Sequence, residues 1–220
     1  MSKISSRLVI NALQPDTLVS EVVSLCKEAA LYKYAVVSVP PIFVAKAKES
    51  LDEVDTKVAT VIGYPYGYNA IESKLAETLL AIVDGADEIC MTASTTAIKN
   101  NDWQYVASEI NTINPIVKRK GKFLTVILET ALLSEDEIIK ACDIYGVAGI
   151  DFLQAGTGII EVEKNDNISL IRKHLADSVK IIATDNNPSY KLIKQYINEG
   201  AERVSIRDGL KLMLEEAGLN

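Results

Sequence analysis

The stretch GIDFLQAGTG, Gly149 to Gly158, decides how the rest of the chain is read. Apolar residues lead up to Gln154, and Ala155-Gly156-Thr157-Gly158 then open the backbone. This is the form of a buried strand running into a glycine-rich turn, and in α/β proteins chemistry sits at such strand ends. Immediately upstream, SEDEIIKACDIYG (134–146) opens with Ser134 and acidic residues and closes on Gly146, the grammar of a capped helix. Before it lies a second β-branched run, KFLTVILET (122–130). Both runs are continuously apolar rather than alternating, which suits parallel strands covered on both faces.

Working outward, the same unit recurs. Strand-like runs lie at 8–13, 34–40, 57–65, 87–93, 122–130, 149–156, 179–185 and 203–208. Helical periodicity fills the gaps. TLVSEVVSLCKEAALY has Thr17 as a plausible cap. AIESKLAETLLAIVDG ends on Gly85, and PSYKLIKQYINEG starts with Pro188 and stops at Gly200. Eight strand–helix pairs without a linker predict one domain over residues 1–220, an α/β fold of the single (β/α)8 TIM-barrel type. A doubly wound open sheet would suit six or seven units. In a barrel the positions of interest are the carboxyl ends of the strands. These are Asn11, Ser38, Gly63 to Gly67, Cys90 to Ser94, Thr125 to Thr130, Gln154 to Gly158, Ile182 to Asn187 and Ser205 to Gly209.

Composition excludes several classes. Formal charge is −7 over 220 residues, so nucleic acid is not an expected partner, because neutralising phosphates requires clustered Lys and Arg. The one basic cluster, Lys118-Arg119-Lys120, reads as a solvated helix end. No run of about 20 apolar residues could span a membrane, and the N-terminal residues lack a secretory pattern. Three widely spaced cysteines (Cys26, Cys90, Cys142) point to a reducing cytoplasm without disulfides or a zinc site. A single histidine, His174, rules out multi-histidine sites. No metal and no cofactor are expected.

Several segments resemble the deoxyribose-phosphate aldolases, class I aldolases built as (β/α)8 barrels. KVATVIGYPYGYNAIESKLAET is similar to the family's third strand and loop, T-V-x-G-x-P-x-G, followed by an E-x-K pair (Glu72, Lys74). DGADEICMTASTTAIKNNDW is similar to the fourth strand and loop, TVILETALLSEDEIIKAC to the fifth strand and helix, and GIDFLQAGTG to the sixth strand, A-D-F-[IV]-K-T-S-T-G. The resemblance runs from about Leu13 to about Gly209. It implies a lyase that cleaves 2-deoxyribose 5-phosphate to glyceraldehyde 3-phosphate and acetaldehyde. The family uses a sixth-strand lysine as Schiff-base nucleophile, a seventh-strand lysine to lower its pKa, and a fourth-strand aspartate in the proton relay.

On that resemblance the glutamine is a departure. The sixth-strand lysine position falls on Gln154, the aspartate on Cys90 and the seventh-strand lysine on Ile182. The fifth-strand lysine that often precedes V-I-x-E-T is Thr125, and the early D-x-T-L-L-K-P is Val9 to Pro15 with its charges gone. An amine must be neutral to attack a carbonyl, which demands partial burial and a cationic neighbour. Lys99 and Lys164 are the lysines nearest the mouth, and both read as solvated loop residues. Cys90 could serve as a nucleophile only beside a cation or histidine; otherwise it is a small apolar filler.

The resemblance also implies a sugar-phosphate cradle at the ends of strands six to eight. Its candidates are Gly156, Thr157, Gly158, Ser205, Arg207 and Gly209. Asp185-Asn186 stands where the family has a glycine pair, and an aspartate repels a phosphate dianion. Arg207 could grip an anion or pair with Asp208 or Asp185. Thr157 and Asn11 could bind a ligand or close a turn. Three readings stand open. One is a non-catalytic family member with a pocket for a small phosphorylated or neutral metabolite. Another is an enzyme with reassigned chemistry on Cys90, Glu129, Arg207 or Asp208. The third is a scaffold subunit. A homo-oligomer is compatible with each.

Overall fold

The structure, a computed structural model, describes residues 4–160 and 167–216. Its strands are β1 (Leu8–Asn11), β2 (Val36–Val39), β3 (Lys57–Ile62), β4 (Glu88–Thr92), β5 (Phe123–Leu128), β6 (Phe152–Ala155), β7 (Lys180–Thr184) and β8 (Arg203–Ile206). They pair in parallel in that order and close β8 on β1. The helices between them are α1 (Val19–Tyr32), α2 (Val44–Ser50), α3 (Ile71–Val83), α4 (Thr95–Lys99), α5 (Trp103–Arg119), α6 (Glu135–Ala148), α7 (Ile168–His174), α8 (Tyr190–Asn198) and α9 (Leu210–Glu216). The expected (β/α)8 barrel is therefore what the chain forms. Every predicted run carries one strand because each is buried on both faces: one face meets the helices, the other the barrel interior.

The inward-facing side chains form a separate, small core of Val9, Val36, Ala59, Val61, Cys90, Ile127, Phe152 and Ile182. Its amino-terminal end is plugged. Arg203 Nη1 donates to both carboxylate oxygens of the buried Glu88, at 2.7 and 3.0 Å, and its guanidinium lies 4.3 Å from the Phe152 ring centre. Burial pushes the Glu88 carboxyl above its ordinary range, and the Arg203 charge opposes this. The open end is the carboxyl end, where the βα loops converge.

Some helix ends differ from the sequence reading. Thr17 does not cap α1; its hydroxyl donates to Ala12 O at 3.3 Å, and Leu18 is the cap, its N–H held by Glu21 at 2.7 Å. Ser134 caps α6 as expected, but the helix runs through Gly146 to end at Gly149, in the left-handed region at φ 64°. Gly146 is small for a packing reason, since a Cβ there would lie 3.3 Å from Ala176 Cβ. Pro188 lies just before the α8 cap, Ser189. Lys118 and Arg119 form the exposed last turn of α5, as the basic cluster was read.

Candidate active site

Cys90, Gln154 and Ile182 line one cavity inside the barrel, together with Asn11, Ser38 and Ser205. Gln154 and Ile182 are register partners on β6 and β7, and Ile127 of β5 is Gln154's partner on its other side. The cavity measures about 10 Å³, room for no more than about one water. Gln154 turns back on its own loop, Nε2 donating to Gly156 O at 3.0 Å. Ile182 is apolar and buried. The Cys90 thiol is pushed up to about 12, first by burial and then by the Glu88 charge, against a contribution from Thr125. It is therefore a neutral thiol at neutral pH, and the bland reading of Cys90 as a filler fits its surroundings.

The turn after β6 is built from internal bonds. Gly156 and Gly158 have φ of 88° and 76°, the left-handed region open to glycine. The Gly156 carbonyl accepts from Gln154 and from Thr184 Oγ1, the latter at 3.0 Å, and the Gly158 carbonyl accepts from Asn186 Nδ2 at 2.8 Å. The Thr157 N–H donates to Glu129 Oε2 at 3.0 Å, and the Thr157 hydroxyl donates to the same oxygen. The Gly156 N–H is spent on Leu128 O. The family resemblance put Gly156, Thr157 and Gly158 in a sugar-phosphate cradle. The structure gives the amides of Gly156 and Thr157 to a carbonyl and a carboxylate, and a buried carboxylate beside the turn opposes an anion.

Tyr64, which the sequence reading did not single out, crosses the mouth. Its hydroxyl donates to Thr157 O at 3.3 Å, and its ring lines both the small cavity and a second, larger space. Burial pushes the phenol up to about 12, with the Arg207 charge opposing and Glu129 adding. The larger space is a groove of about 560 Å³ formed by the loops after β1, β2 and β3. Leu13, Val61 and Tyr64 line both spaces, whereas Gln154, Cys90 and Ile182 line only the smaller one.

The remaining candidates divide. Asn11 Nδ2 donates to Ser205 Oγ at 3.3 Å and to Ile206 O at 2.9 Å, so both side chains tie β1 to β8. Arg207 is exposed and reaches the mouth only as a charge felt by Tyr64. Asp208 accepts from the Lys211 N–H at 3.4 Å. Asp185 is occupied by Tyr196 and the Asn187 N–H; neither carboxylate forms an ion pair with Arg207 among the described residues. Gly209 packs against Tyr34 and Ile10; the Tyr34 hydroxyl would lie 2.5 Å from an added Cβ. Lys99 pairs with Glu137 at 2.9 Å. Lys164 lies outside the described residues.

Sequence reading also missed a buried ion pair behind the site. Lys74 of the E-x-K pair donates to Glu109 Oε1 at 2.6 Å and to Thr92 O, at the end of β4, at 2.7 Å. Both side chains are fully buried. Its stem packs on Gly63, so this pair sets where the Tyr64 loop leaves β3.

The closed eight-stranded parallel barrel, with its groove among the loops at the carboxyl ends of the strands, places the chain in the (β/α)8 class. Comparison with known proteins narrows this. Residues 9–170 match the model of the DeoC/LacD family aldolases. A deoxyribose-phosphate aldolase of Caldanaerobacter subterraneus subsp. tengcongensis is 37% identical over 205 residues, covering 92% of this chain and 89% of that protein. The solved aldolase QR15 superposes with a TM-score of 0.90 at 26% identity, over 99% of this chain and 97% of its own. A deoxyribose phosphate aldolase from Aeropyrum pernix shares the fold, with a TM-score of 0.90 at 22% identity over 99% of this chain and 92% of that one. The chain belongs to the DeoC/LacD aldolase family.

Proposed function

We propose that this protein keeps the family's barrel and a small-molecule pocket at its mouth but does not perform the Schiff-base retro-aldol reaction of deoxyribose-phosphate aldolases. The observation that carries this reading is Gln154. On the family motif it stands at the lysine position, and its amide is bonded to Gly156 O in a cavity that Tyr64 also lines. An amide nitrogen delocalises its lone pair and cannot add to a carbonyl as an amine. Its neighbour Ile182 supplies no cation to lower an amine's pKa. Cys90, at the motif's aspartate position, is a thiol that keeps its proton at neutral pH, so it does not serve as the base of a proton relay. No lysine lines the small cavity or the groove among the described residues.

Reassigned chemistry has weaker support. Glu129 is committed to Thr157, and Cys90 is held protonated. A pure scaffold role is opposed by the open groove. Three buried, free thiols fit a reducing cytoplasm. Self-association is part of the proposal because the Aeropyrum pernix relative is tetrameric; light scattering tests it. The chemistry is tested by borohydride trapping with acetaldehyde or 2-deoxyribose 5-phosphate, read by mass spectrometry. No adduct is expected at any mouth residue. A reduced adduct on one defined lysine, in proportion to turnover, would overturn the reading.

A further inference from the structure

We propose that the groove lined by Tyr64 and Tyr66 is a binding site for an uncharged, planar ring compound of one or two fused rings. This names the ligand class of the retained pocket and rests on that reading of the mouth. At about 560 Å³ the groove falls within the usual range for small-molecule sites, roughly 300–1,000 Å³. At about 10 Å³ the small cavity next to it is too small for a ring, so a ring held by the β1, β2 and β3 loops lies in the groove.

The lining selects the ligand. Leu13, Pro40, Phe43, Tyr64 and Tyr66 supply flat or stiff apolar walls. Rigid aromatic and proline surfaces favour a planar partner, because rings pack face or edge against rings with little loss of side-chain freedom. Charge works in the same direction. Among the described residues the groove has no lysine or arginine and one carboxylate, Glu77. That carboxylate is already satisfied: it accepts from the Gly63 N–H at 2.8 Å and from Asn69 Nδ2 on its other oxygen. An anionic ligand would meet no cation among the groove's lining residues and would lie beside Glu77. A neutral ring loses little solvation on entry and meets apolar surface on most sides. Tyr66, 46% exposed and stacked on Tyr68 at 5.4 Å, stands at the rim as a pre-set face on which such a ring can lie.

Indole is the probe, with inorganic phosphate and 2-deoxyribose 5-phosphate as comparators, followed by saturation-transfer NMR and calorimetry on the full chain. Saturable one-to-one binding of indole is expected, tighter than either phosphate by at least tenfold. Thr17→Trp, which places a ring into the groove from its edge, should weaken indole binding at least tenfold. Tyr66→Ala should weaken it about fivefold. Val147→Ala, on the exposed face of α6, should leave it unchanged. Circular dichroism and melting of each variant separate loss of a wall from loss of fold. If Thr17→Trp fails to fold, Tyr66→Ala and the indole protons that saturate from tyrosine decide. No saturable binding, binding indifferent to both groove variants, or preferential binding of either phosphate would overturn the proposal. So would a dimer that buries the groove, excludes indole and dissociates on Tyr66→Ala, for that assigns the face to a second copy of the chain. Borohydride trapping reads an amine and this titration reads a groove, so failure of one leaves the other standing.

Discussion

The Tyr64 hydroxyl meets the carbonyl of Thr157 across the barrel mouth, 93 positions away in sequence, at 3.3 Å. The bond joins the β3 loop to the β6 turn, and both residues line the space that holds Cys90. Removing only the hydroxyl, Tyr64→Phe, should cost about 0.5–1.5 kcal/mol, the net value of one such bond, measured by urea unfolding. Tyr64→Ala should do more, because it removes a wall of the cavity. Alkylation of Cys90, followed by peptide mass spectrometry, should then accelerate at least fivefold while Cys26 and Cys142, buried outside the barrel, keep their rates. Equal acceleration of all three would mean general loosening.

Cys90 also makes a pH prediction. Its thiol is held at about 12, against an ordinary value of 9.0, chiefly by burial. An acid whose folded value is raised binds its proton more tightly when folded. Its contribution to stability is whole below pH 9 and is lost as pH climbs from there toward 12. At pH 10 the loss from this group amounts to about 1 kcal/mol. Urea unfolding at pH 8 and pH 10 should therefore show a smaller decline for Cys90→Ala than for the wild type, by about that amount. An identical decline would mean that the thiol is better solvated than its position implies.

How much of this was legible depends on the range of the interaction concerned. The strands were readable because burial on both faces writes itself into short β-branched runs such as TVIL of β5. Helix ends were readable where a local cap decides them, as at Ser134. They were misread where packing overrode the local signal, as at Gly146, which is small because Ala176 presses on it. The family motifs located Gln154, Cys90 and Ile182 and brought them into one cavity. The direction of the β6 turn was not legible: glycines tell that the backbone can turn, not whether amides or carbonyls face the mouth. Tyr64 and the Lys74–Glu109 pair escaped for a related reason, since their partners lie on other elements and nothing local marks them.

The Lys74–Glu109 pair should behave as a buried ion pair does. Both groups are out of water, and burial raises the Glu109 carboxyl against the pull of Lys74. Lys74→Met alone leaves a carboxylate without its counter-charge, and Glu109→Leu alone leaves an ammonium. Each single change should cost about 3–5 kcal/mol, whereas the double change should cost clearly less than their sum. Urea unfolding of the four proteins supplies the cycle. Additive losses would show that the two side chains act independently.

The last prediction concerns restoring chemistry. Gln154→Lys places an amine in a cavity of about 10 Å³ that Ile182 and Tyr64 also line. The longer side chain must displace its neighbours, and its charge must be desolvated, so the variant should lose roughly 1–3 kcal/mol of stability. It also removes the donor to Gly156 O. Near its reference pKa of about 10.4 the amine would be protonated and unreactive; burial alone lowers that value without supplying a path for the carbonyl. Adding Ile182→Lys and Cys90→Asp supplies the cation and the acid–base group that the family resemblance implies. Acetaldehyde must still enter a cavity of about 10 Å³ that Tyr64 lines. The triple variant should therefore give trace turnover at most, and Tyr64→Ala added to it should raise borohydride trapping at position 154 several-fold. Efficient trapping by Gln154→Lys alone, with Tyr64 in place, would show that the cavity opens readily and that a single side chain separates this protein from Schiff-base chemistry.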